Sequence, residues 1–210
     1  MTAAFDSSRV RALLFDLGGV VFDFDFAHAL AHWAPMSSLQ PDALRQAFSH
    51  DEDYQRHERG ELTSAQYFDT LRRKLLLDAT DAQIEQGWNA IFRDEIGQTL
   101  DAIEAARRFL PCYAFSNTNR SHHAAWRAAY PRVEPAFEKV FVSNDIGLRK
   151  PERAAFEHVC RDIGLPPQAL LFFDDLEENV AGARACGLQA VQVRSPEDVR
   201  GALRELGCLR

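Results

Sequence analysis

Four groups of polar side chains that could do chemistry follow apolar runs of this sequence. They are Asp16, Ser116 with Asn117, Lys150, and Asp174 with Asp175. In an open α/β sheet, ligands bind outside the carboxyl ends of the parallel strands. If each apolar run is a buried strand of one such sheet, the fold brings these side chains together although they are far apart along the chain.

The three aspartates of this set would repel one another strongly. At 4 Å and an effective dielectric constant of 20, each pair of like charges costs about 4 kcal/mol, and Lys150 cannot neutralise three carboxylates alone. A hard divalent cation with oxygen ligands removes the repulsion, and Mg²⁺ commonly joins one or two carboxylates to a phosphate. The sequence therefore predicts a Mg²⁺ site and an anionic, phosphorylated substrate.

The chemistry of these residue types suggests a role for each. Asp16 could attack phosphorus and form an aspartyl-phosphate, which is a known covalent route. Ser116, with the backbone N–H groups of residues 117 and 118 at a predicted helix start, could hold phosphate oxygens. Lys150 would bring a positive charge to the transferred group. The two glycines at positions 18 and 19 let the backbone approach a metal and a phosphate without a Cβ in the way.

Five short apolar segments predict the strands that position this set. Each is a continuous apolar run, which is the pattern of a strand covered on both faces; the segments are 11–16, 112–116, 139–143, 169–174 and 189–193. Helical patterns alternate with them, among them 152–163 and 178–186, each followed by a glycine that favours a helix end. This alternation predicts an α/β fold with a Rossmann-like, doubly wound parallel sheet.

Residues 24–94 interrupt the alternation and contain no segment that predicts a strand. Their apolar residues recur at helical spacing, and two helices begin at capping boxes, Thr63 with Gln66 and Thr80 with Gln83. The sequence therefore predicts two units. Residues 1–23 and 95–210 form an α/β core, and residues 24–94 form a helical insert.

Composition limits the partners and the compartment. The chain has 210 residues, a formal net charge of −7 and no stretch rich in Lys and Arg, so nucleic acid and anionic membranes are not expected partners. No signal peptide or membrane-spanning run is evident, and the four scattered cysteines predict reduced thiols. We expect a cytoplasmic enzyme, a monomer or a homodimer, that acts on a small phosphorylated metabolite.

Four segments of the sequence resemble the four motifs of the haloacid dehalogenase (HAD) superfamily. "LLFDLGGVVFD" resembles its first motif, "YAFSNTN" its second, "GLRKPE" its third and "LLFFDDLEENVAGA" its fourth. The helical insert lies where this superfamily carries a four-helix cap over the site. Together with "YQRHERGEL" from the insert, the motifs are also similar to bacterial phosphatases that act on α-D-glucose 1-phosphate.

The resemblance implies a role for each residue of the set. The implied nucleophile is Asp16, and the implied ligands of Mg²⁺ are Asp16, the Gly18 carbonyl, Asp175 and, directly or indirectly, Asp174. The residues implied to bind the phosphate group are Ser116, Asn117 and Lys150. The implied activity is hydrolysis of a small phosphomonoester, with a sugar phosphate such as glucose 1-phosphate as the expected substrate.

One position departs from the common pattern of the superfamily. Most of its phosphatases have a second aspartate two residues after the nucleophile, which serves as general acid and base, whereas this chain has Gly18. General acid–base catalysis typically contributes about 10²- to 10⁴-fold in rate. The loss matters least for a sugar 1-phosphate, because its anomeric hydroxyl is a more acidic leaving group than an alkyl alcohol. Asp23 or a water held by the metal could replace the missing acid.

Two other functions remain open at the level of the sequence. A 2-haloacid dehalogenase also lacks the second aspartate, but it needs no metal, and the pair Asp174 and Asp175 would repel its carboxylate substrate. A phosphometabolite-binding protein with weak catalysis is supported only by Gly18.

Substrate specificity is expected to lie in the helical insert. We expect Tyr54, His57 and Arg59 to face the cleft and contact the leaving group. The alternative is that they form a charged cluster within the insert and do not reach the substrate.

Overall fold

A five-stranded parallel sheet with helices on both faces forms the centre of the computed structural model, which describes residues 5–209. In chain order the strands are β1 (Ala12–Phe15), β2 (Phe22–Phe24), β3 (Phe92–Glu95), β4 (Cys112–Ser116), β5 (Lys139–Val142), β6 (Leu170–Asp174) and β7 (Gln189–Gln192). The α-helices are α1 (Phe26–Trp33), α2 (Pro41–Ala47), α3 (Glu52–Glu58), α4 (Ser64–Lys74), α5 (Asp81–Asn89), α6 (Gly97–Ala106), α7 (Arg120–Ala129), α8 (Ser143–Ile146), α9 (Arg153–Ile163), α10 (Glu177–Ala185) and α11 (Pro196–Glu205).

The first strand, β1, lies at the centre of this sheet. The strand order is β5-β4-β1-β6-β7, and every neighbouring pair is parallel. All five predicted strands are confirmed, each within one residue of its predicted bounds, and so are the helices predicted at 152–163 and 178–186. Because β4 and β6 flank β1 on opposite sides, the strand order switches at β1. The carboxyl ends of these three strands therefore open on one crevice.

Side chains of β1 alternate between two apolar layers, which explains its continuous apolar sequence. Leu13 and Phe15 join the layer on one face, where Phe15 stacks on Phe173 of β6 with ring centroids 4.6 Å apart. Leu14 joins Phe172 in the layer on the other face. Helices cover both layers, so all four residues of β1 are buried. Because the whole strand is held in the core, the position of its end is fixed, and the next residue, Asp16, is the first polar side chain after it.

Residues 26–89 form helices around an apolar cluster of their own, which includes Trp33, Tyr67 and Trp88. The resemblance implied four helices, whereas this segment has five, because α2 and α3 are separate helices of seven residues each. Both predicted capping boxes are confirmed, at Thr63 before α4 and at Thr80 before α5. Each threonine accepts a hydrogen bond from the third helical N–H, so the caps define where these two helices begin.

A short antiparallel ribbon, β2 paired with β3, joins the two ends of the helical insert. The expectation that residues 24–94 contain no strand is therefore wrong. The sequence "FRDE" of β3 is short and mostly polar, so it lacks the apolar run by which the sheet strands are recognised. Both predicted boundaries, 23/24 and 94/95, fall inside this ribbon, and the division into core and insert stays a prediction. The predicted core also includes residues 1–4 and 210, which lie outside the described residues.

Two expectations about the whole chain can be compared with the structure. All four cysteines are free and buried, which confirms that they form no disulfide with one another. None of the helices within residues 5–209 combines the length and the apolar composition that a membrane span requires.

The helical insert contacts the core closely at the turn after α3. Gly60, with φ +71°, is positioned so that a Cβ would lie 2.6 Å from the carbonyl oxygen of Asn144. Next to this contact, the Ser143 hydroxyl lies 2.7 Å from the Glu58 carbonyl and 2.9 Å from the Thr118 carbonyl. Only glycine fits the left-handed turn at position 60 without strain and without pushing the insert away from the core.

Replacing Gly60 by alanine should destabilise the protein. The left-handed conformation alone costs an alanine about 1–2 kcal/mol, and the overlap with the Asn144 carbonyl adds to this cost. We expect Gly60→Ala to lower the Tm by several degrees in thermal unfolding. The matched control is Gly201→Ala in α11, where a Cβ meets nothing within 4 Å and should instead stabilise the helix by about 0.5–1 kcal/mol. Equal Tm values for the two variants would contradict the close contact.

Candidate active site

The carboxyl ends of the central strands open into a cavity of about 550 Å³ between the sheet and the helical insert. On the sheet side it is lined by five residues of the predicted set: Asp16, Gly18, Ser116, Asn117 and Asp175. On the insert side it is lined by residues of the ribbon, α1 and α3, among them Phe24, Phe26, Tyr54 and Glu58. The structure therefore brings most of the predicted set to one concave surface.

Three carboxylates converge here, two of them at the floor of this cavity and the third, Asp174, buried beneath it. One oxygen each of Asp16, Asp174 and Asp175 lies within 4.8 Å of the others. Burial, and to a lesser degree the neighbouring aspartates, raises the pKa of Asp16 well above its ordinary value. Burial followed by the charge of Asp174 raises the pKa of Asp175 to about 6. Burial and the proximity of like charges both disfavour the ionised forms of these carboxyl groups, and a cation bound between them would stabilise those forms.

A buried lysine partly offsets this charge. Lys150 is fully buried, and its Nζ lies 2.9 Å from Asp16 Oδ1 and 2.7 Å from Asp174 Oδ2. Burial alone would lower the pKa of Lys150, but the charges of Asp16 and Asp174 outweigh this and raise it. The lysine is therefore an ammonium ion held between the ends of β1 and β6. A buried charge is tolerated when it is paired and hydrogen-bonded in this way.

The two acids at the end of β6 differ in their surroundings. Asp174 is fully buried and accepts hydrogen bonds from Lys150 Nζ, from the Leu176 N–H at 2.9 Å and from Asn179 Nδ2 at 3.0 and 3.1 Å. Its oxygens are thus occupied by the protein. The Asp175 side chain instead lines the cavity, so Asp175 is the acid of the pair that is available to a ligand.

The glycine turn after β1 shapes the approach to Asp175. Gly19 has φ +71°, and a Cβ on it would lie 2.6 Å from Asp175 Oδ2. Among the backbone hydrogen bonds of the loops and turns within residues 5–209, none is accepted by the Gly18 carbonyl. The available donors at this place are therefore carboxylate and carbonyl oxygens, which suit a hard cation such as Mg²⁺. The residues present fit the predicted metal.

The position of the missing second aspartate is occupied by an aromatic ring. A Cβ on Gly18 would lie 2.8 Å from Cε1 of Phe24, at the end of β2. Asp23, the acidic residue that could have replaced the missing acid, does not line the cavity and pairs with Arg93 at 3.6 Å. This chain thus has a glycine at position 18, and the ribbon places the Phe24 ring in the space that an acidic side chain would fill.

Asn117 and Thr118 are placed differently from the prediction. The Asn117 side chain exchanges two hydrogen bonds of 2.9 Å with the backbone of Lys150, so its amide holds the lysine loop rather than being free for phosphate. The helix α7 begins at Arg120 with Asn119 as its N-cap, not at residue 117. The Thr118 N–H donates to the Ser143 hydroxyl at 2.8 Å. The prediction that this N–H binds phosphate is therefore wrong, because the donor is already used.

Of the three residues predicted to contact the leaving group, only Tyr54 lines the cavity. His57 is buried inside the insert, where its ring stacks on Tyr67 with centroids 4.5 Å apart and burial lowers its pKa to about 4. Arg59 pairs with Glu52 and Glu61. The prediction that His57 binds substrate is wrong for this structure, and Arg59 belongs to the charged cluster that was the alternative.

Sequence reasoning missed an ion pair that lines the cavity, formed by Glu58 and Arg149. Arg149 Nε donates to Glu58 Oε2 at 2.9 Å across the gap between the core and the insert. Both residues lie inside motifs that were singled out, "YQRHERGEL" and "GLRKPE". Nothing in either motif indicates that these two residues pair, because the segments are far apart along the chain.

Comparison with known proteins agrees with this geometry. The profile of the haloacid dehalogenase-like hydrolase family matches residues 10–187. The chain is 24% identical over 201 residues to a D-ribitol-5-phosphate phosphatase of Bacteroides thetaiotaomicron, covering 92% of this chain and 97% of that protein. It is 28% identical over 206 residues to drimenol cyclase of Aspergillus calidoustus, where the match covers 94% of this chain but only 36% of the cyclase.

A solved structure extends the comparison to three dimensions. A HAD family enzyme from Bacteroides thetaiotaomicron, crystallised as a magnesium complex, superposes with a TM-score of 0.81 at 28% identity. The superposition covers 93% of this chain and 99% of that enzyme. The family profile spans well over half of the sequence, and the cavity lies where its four motifs meet. The chain therefore belongs to the haloacid dehalogenase-like hydrolase family.

Proposed function

We propose that this protein is a Mg²⁺-dependent phosphatase that hydrolyses a small phosphomonoester, with a sugar phosphate as the expected substrate. The observation that carries the proposal is the pair Asp16 and Asp175 at the floor of the cavity, with the buried Lys150 ammonium directly behind Asp16. A carboxylate nucleophile, a fixed positive charge and an acidic metal site are the parts that phosphoryl transfer requires. The similarity to a ribitol-5-phosphate phosphatase supports the same class of reaction.

The residues of this group would act as follows. The Leu17 N–H at 2.7 Å and Lys150 Nζ at 2.9 Å both hold Asp16 Oδ1, which leaves Oδ2 as the oxygen to attack phosphorus. As the bond between Asp16 and phosphorus forms, the bond between phosphorus and the leaving oxygen breaks, and that oxygen takes up a proton from water. A second water then attacks phosphorus and loses a proton to solvent, the bond between phosphorus and Asp16 breaks, and inorganic phosphate is released. Lys150 supplies positive charge to the phosphoryl oxygens in both steps.

Magnesium would be held by Asp16, Asp175 and the Gly18 carbonyl, with Asp174 behind them as the acid that fixes Lys150 and the start of α10. When bound, Mg²⁺ neutralises the excess carboxylate charge and polarises the phosphate group. The magnesium complex of the Bacteroides HAD enzyme supports this choice of metal. Ser116, at the buried end of β4 and in the cavity lining, would contact the phosphate group.

The glycine at position 18 affects which leaving groups can depart easily from phosphorus. With Phe24 in place of an acidic side chain, proton transfer to the leaving oxygen has no carboxylic acid beside it at this position. A leaving group that departs as a weakly basic oxygen needs this help least. A sugar 1-phosphate meets this condition better than an alkyl phosphate.

The nucleophile is tested by Asp16→Asn. The amide keeps the shape of the side chain but cannot form the covalent intermediate, so we expect hydrolysis of phosphomonoesters to fall by at least about 10³-fold. Labelled phosphate from the substrate should be trapped on acid-quenched wild-type protein and not on the variant. Thermal unfolding checks that the variant is folded. Unchanged turnover in Asp16→Asn would exclude Asp16 as the nucleophile.

The metal is tested by its removal. Because the three carboxylates need a cation to accept a phosphate, EDTA should abolish phosphatase activity, and added Mg²⁺ should restore it. A parallel assay measures chloride release from a 2-chloro acid in the presence of EDTA. Chloride release without metal, together with no phosphate release with it, would favour the dehalogenase alternative instead.

The space around Gly18 can be tested with a pair of variants. Gly18→Asp alone should not gain activity, because its Cβ meets the Phe24 ring at 2.8 Å. The double variant Gly18→Asp with Phe24→Ala removes that ring. On alkyl phosphates it should exceed the single variant by up to about 10²-fold in kcat, the lower range for an added general acid. Phe24→Ala alone is the control. A single variant as active as the double one would show that the ring is no obstacle.

A further inference from the structure

An arginine that lines the cavity uses only part of its hydrogen-bonding capacity. Arg149 directly precedes Lys150, and its side chain is 14% exposed. Its Nε donates to Glu58 Oε2 at 2.9 Å, and no other hydrogen bond of this side chain is made within residues 5–209. A guanidinium group has five N–H donors. The four donors on the two Nη atoms therefore remain for a ligand.

The partner of Arg149 is fixed more firmly than an ordinary surface acid. The Glu58 side chain is only 5% exposed, and the backbone carbonyl of the same residue lies 2.7 Å from the buried Ser143 hydroxyl. Tyr54 is near enough to the Glu58 carboxylate that each affects the pKa of the other. The guanidinium is thus held in one orientation at the boundary between the insert and the core.

The charges of the cavity indicate which group of a substrate would meet Arg149. Glu58 already balances the charge of Arg149, and Glu152 and Glu178 also line the cavity. A second anionic group on the leaving group would therefore meet an acidic surface. A neutral hydroxyl fits better, because its oxygen accepts hydrogen bonds from a guanidinium and its proton can be donated to a carboxylate.

Aromatic side chains stand beside this pair. The ring of His50 lies 4.4 Å from that of Tyr54 and 5.0 Å from that of Phe26, measured between centroids, and all three rings line the cavity. Flat apolar faces next to planar polar groups suit a carbon chain or ring that carries several hydroxyls. The polar groups orient the hydroxyls, and the rings cover the C–H groups.

We propose that Arg149 and Glu58 form a subsite that binds hydroxyl groups of a polyhydroxylated leaving group. This rests on the proposed function, since it names the leaving group accepted by the same cavity. Arg149 donates hydrogen bonds to the hydroxyl oxygens from its Nη atoms. Glu58 is a positioning residue, which acts by holding the guanidinium through Nε.

The test compares substrates with and without hydroxyl groups. The kcat/KM values of wild type and Arg149→Ala are measured with Mg²⁺ on D-ribitol 5-phosphate and α-D-glucose 1-phosphate, and on phenyl phosphate. We expect Arg149→Ala to lower kcat/KM about 10- to 100-fold more on the better polyol substrate than on phenyl phosphate, since hydrogen bonds to a charged group are lost. The extra loss should appear mainly in KM.

Two further variants separate positioning from general damage. Glu58→Gln keeps an acceptor for Arg149 Nε and should retain most of the preference for the polyol substrate, whereas Glu58→Leu should lose it as Arg149→Ala does. The matched control is Arg59→Ala. Arg59 also reaches from the insert to the core, at 3.6 Å from Glu152, and its side chain is 15% exposed, but it does not line the cavity. It should leave the ratio between the substrates unchanged.

The outcomes distinguish this inference from the function on which it rests. Equal losses on polyol and phenyl phosphates in Arg149→Ala would overturn it, as would an equal rise in the inhibition constant of inorganic phosphate, because Arg149 would then act on the phosphate. If Arg149→Ala does not fold, as judged by circular dichroism, Arg149→Lys takes its place. Wild-type activity on phenyl phosphate but on neither polyol phosphate would overturn only the subsite. Activity on none of the three would overturn the phosphatase itself.

Discussion

The site depends on one buried ammonium ion. Lys150 has no exposed surface, and its charge is balanced by Asp16 from the end of β1 and Asp174 from the end of β6. Its backbone is held by Asn117 from the end of β4. Three neighbouring strands are thus tied at their carboxyl ends through a single residue. Loss of Lys150 itself would leave the carboxylates of Asp16 and Asp174 buried without this counter-charge, which is among the costliest changes a protein interior can undergo.

The two adjacent acids Asp174 and Asp175 have different roles in this arrangement. Asp174 is saturated by lysine, amide and backbone donors, while Asp175, one residue further along, lies at the cavity. Successive residues of a strand point in opposite directions, so one acid at the end of β6 turns to the lysine and the next is turned away from it. Two consecutive aspartates are therefore not redundant: one keeps the positive charge in place, and the other remains available.

The sequence allowed the sheet and the acidic group to be predicted, because both depend on local patterns. Buried parallel strands show as continuous apolar runs, and polar residues at their ends must meet wherever the strands are neighbours. The ribbon of β2 and β3 was not predictable in this way, because a strand with one partner and four mostly polar residues has no such pattern. Its consequence, Phe24 beside Gly18, was equally hidden.

The helical insert shows the same limit more clearly. The chemical type of a residue in the insert suggests a role, but whether His57 or Glu58 reaches the cavity depends on the rotation of α3 about its axis. That rotation is set by packing, with the His57 ring against Tyr67 and the Glu58 carboxylate against Arg149. A sequence motif specifies only which residues are adjacent along the chain. Which of two adjacent side chains faces a ligand is decided by contacts from distant segments.

The Ser143 hydroxyl has a consequence for motion of the insert. It accepts a hydrogen bond from the Thr118 N–H and lies within reach of two carbonyls, that of Glu58 in the insert and that of Thr118 in the core. A hydroxyl carries one proton, so it serves one of these carbonyls at a time. The proton that Ser143 shares with the insert therefore has a second acceptor, the Thr118 carbonyl, within the core itself. Loss of the contact to Glu58 would leave this hydroxyl with a bonding partner and would add no unsatisfied donor to the core surface.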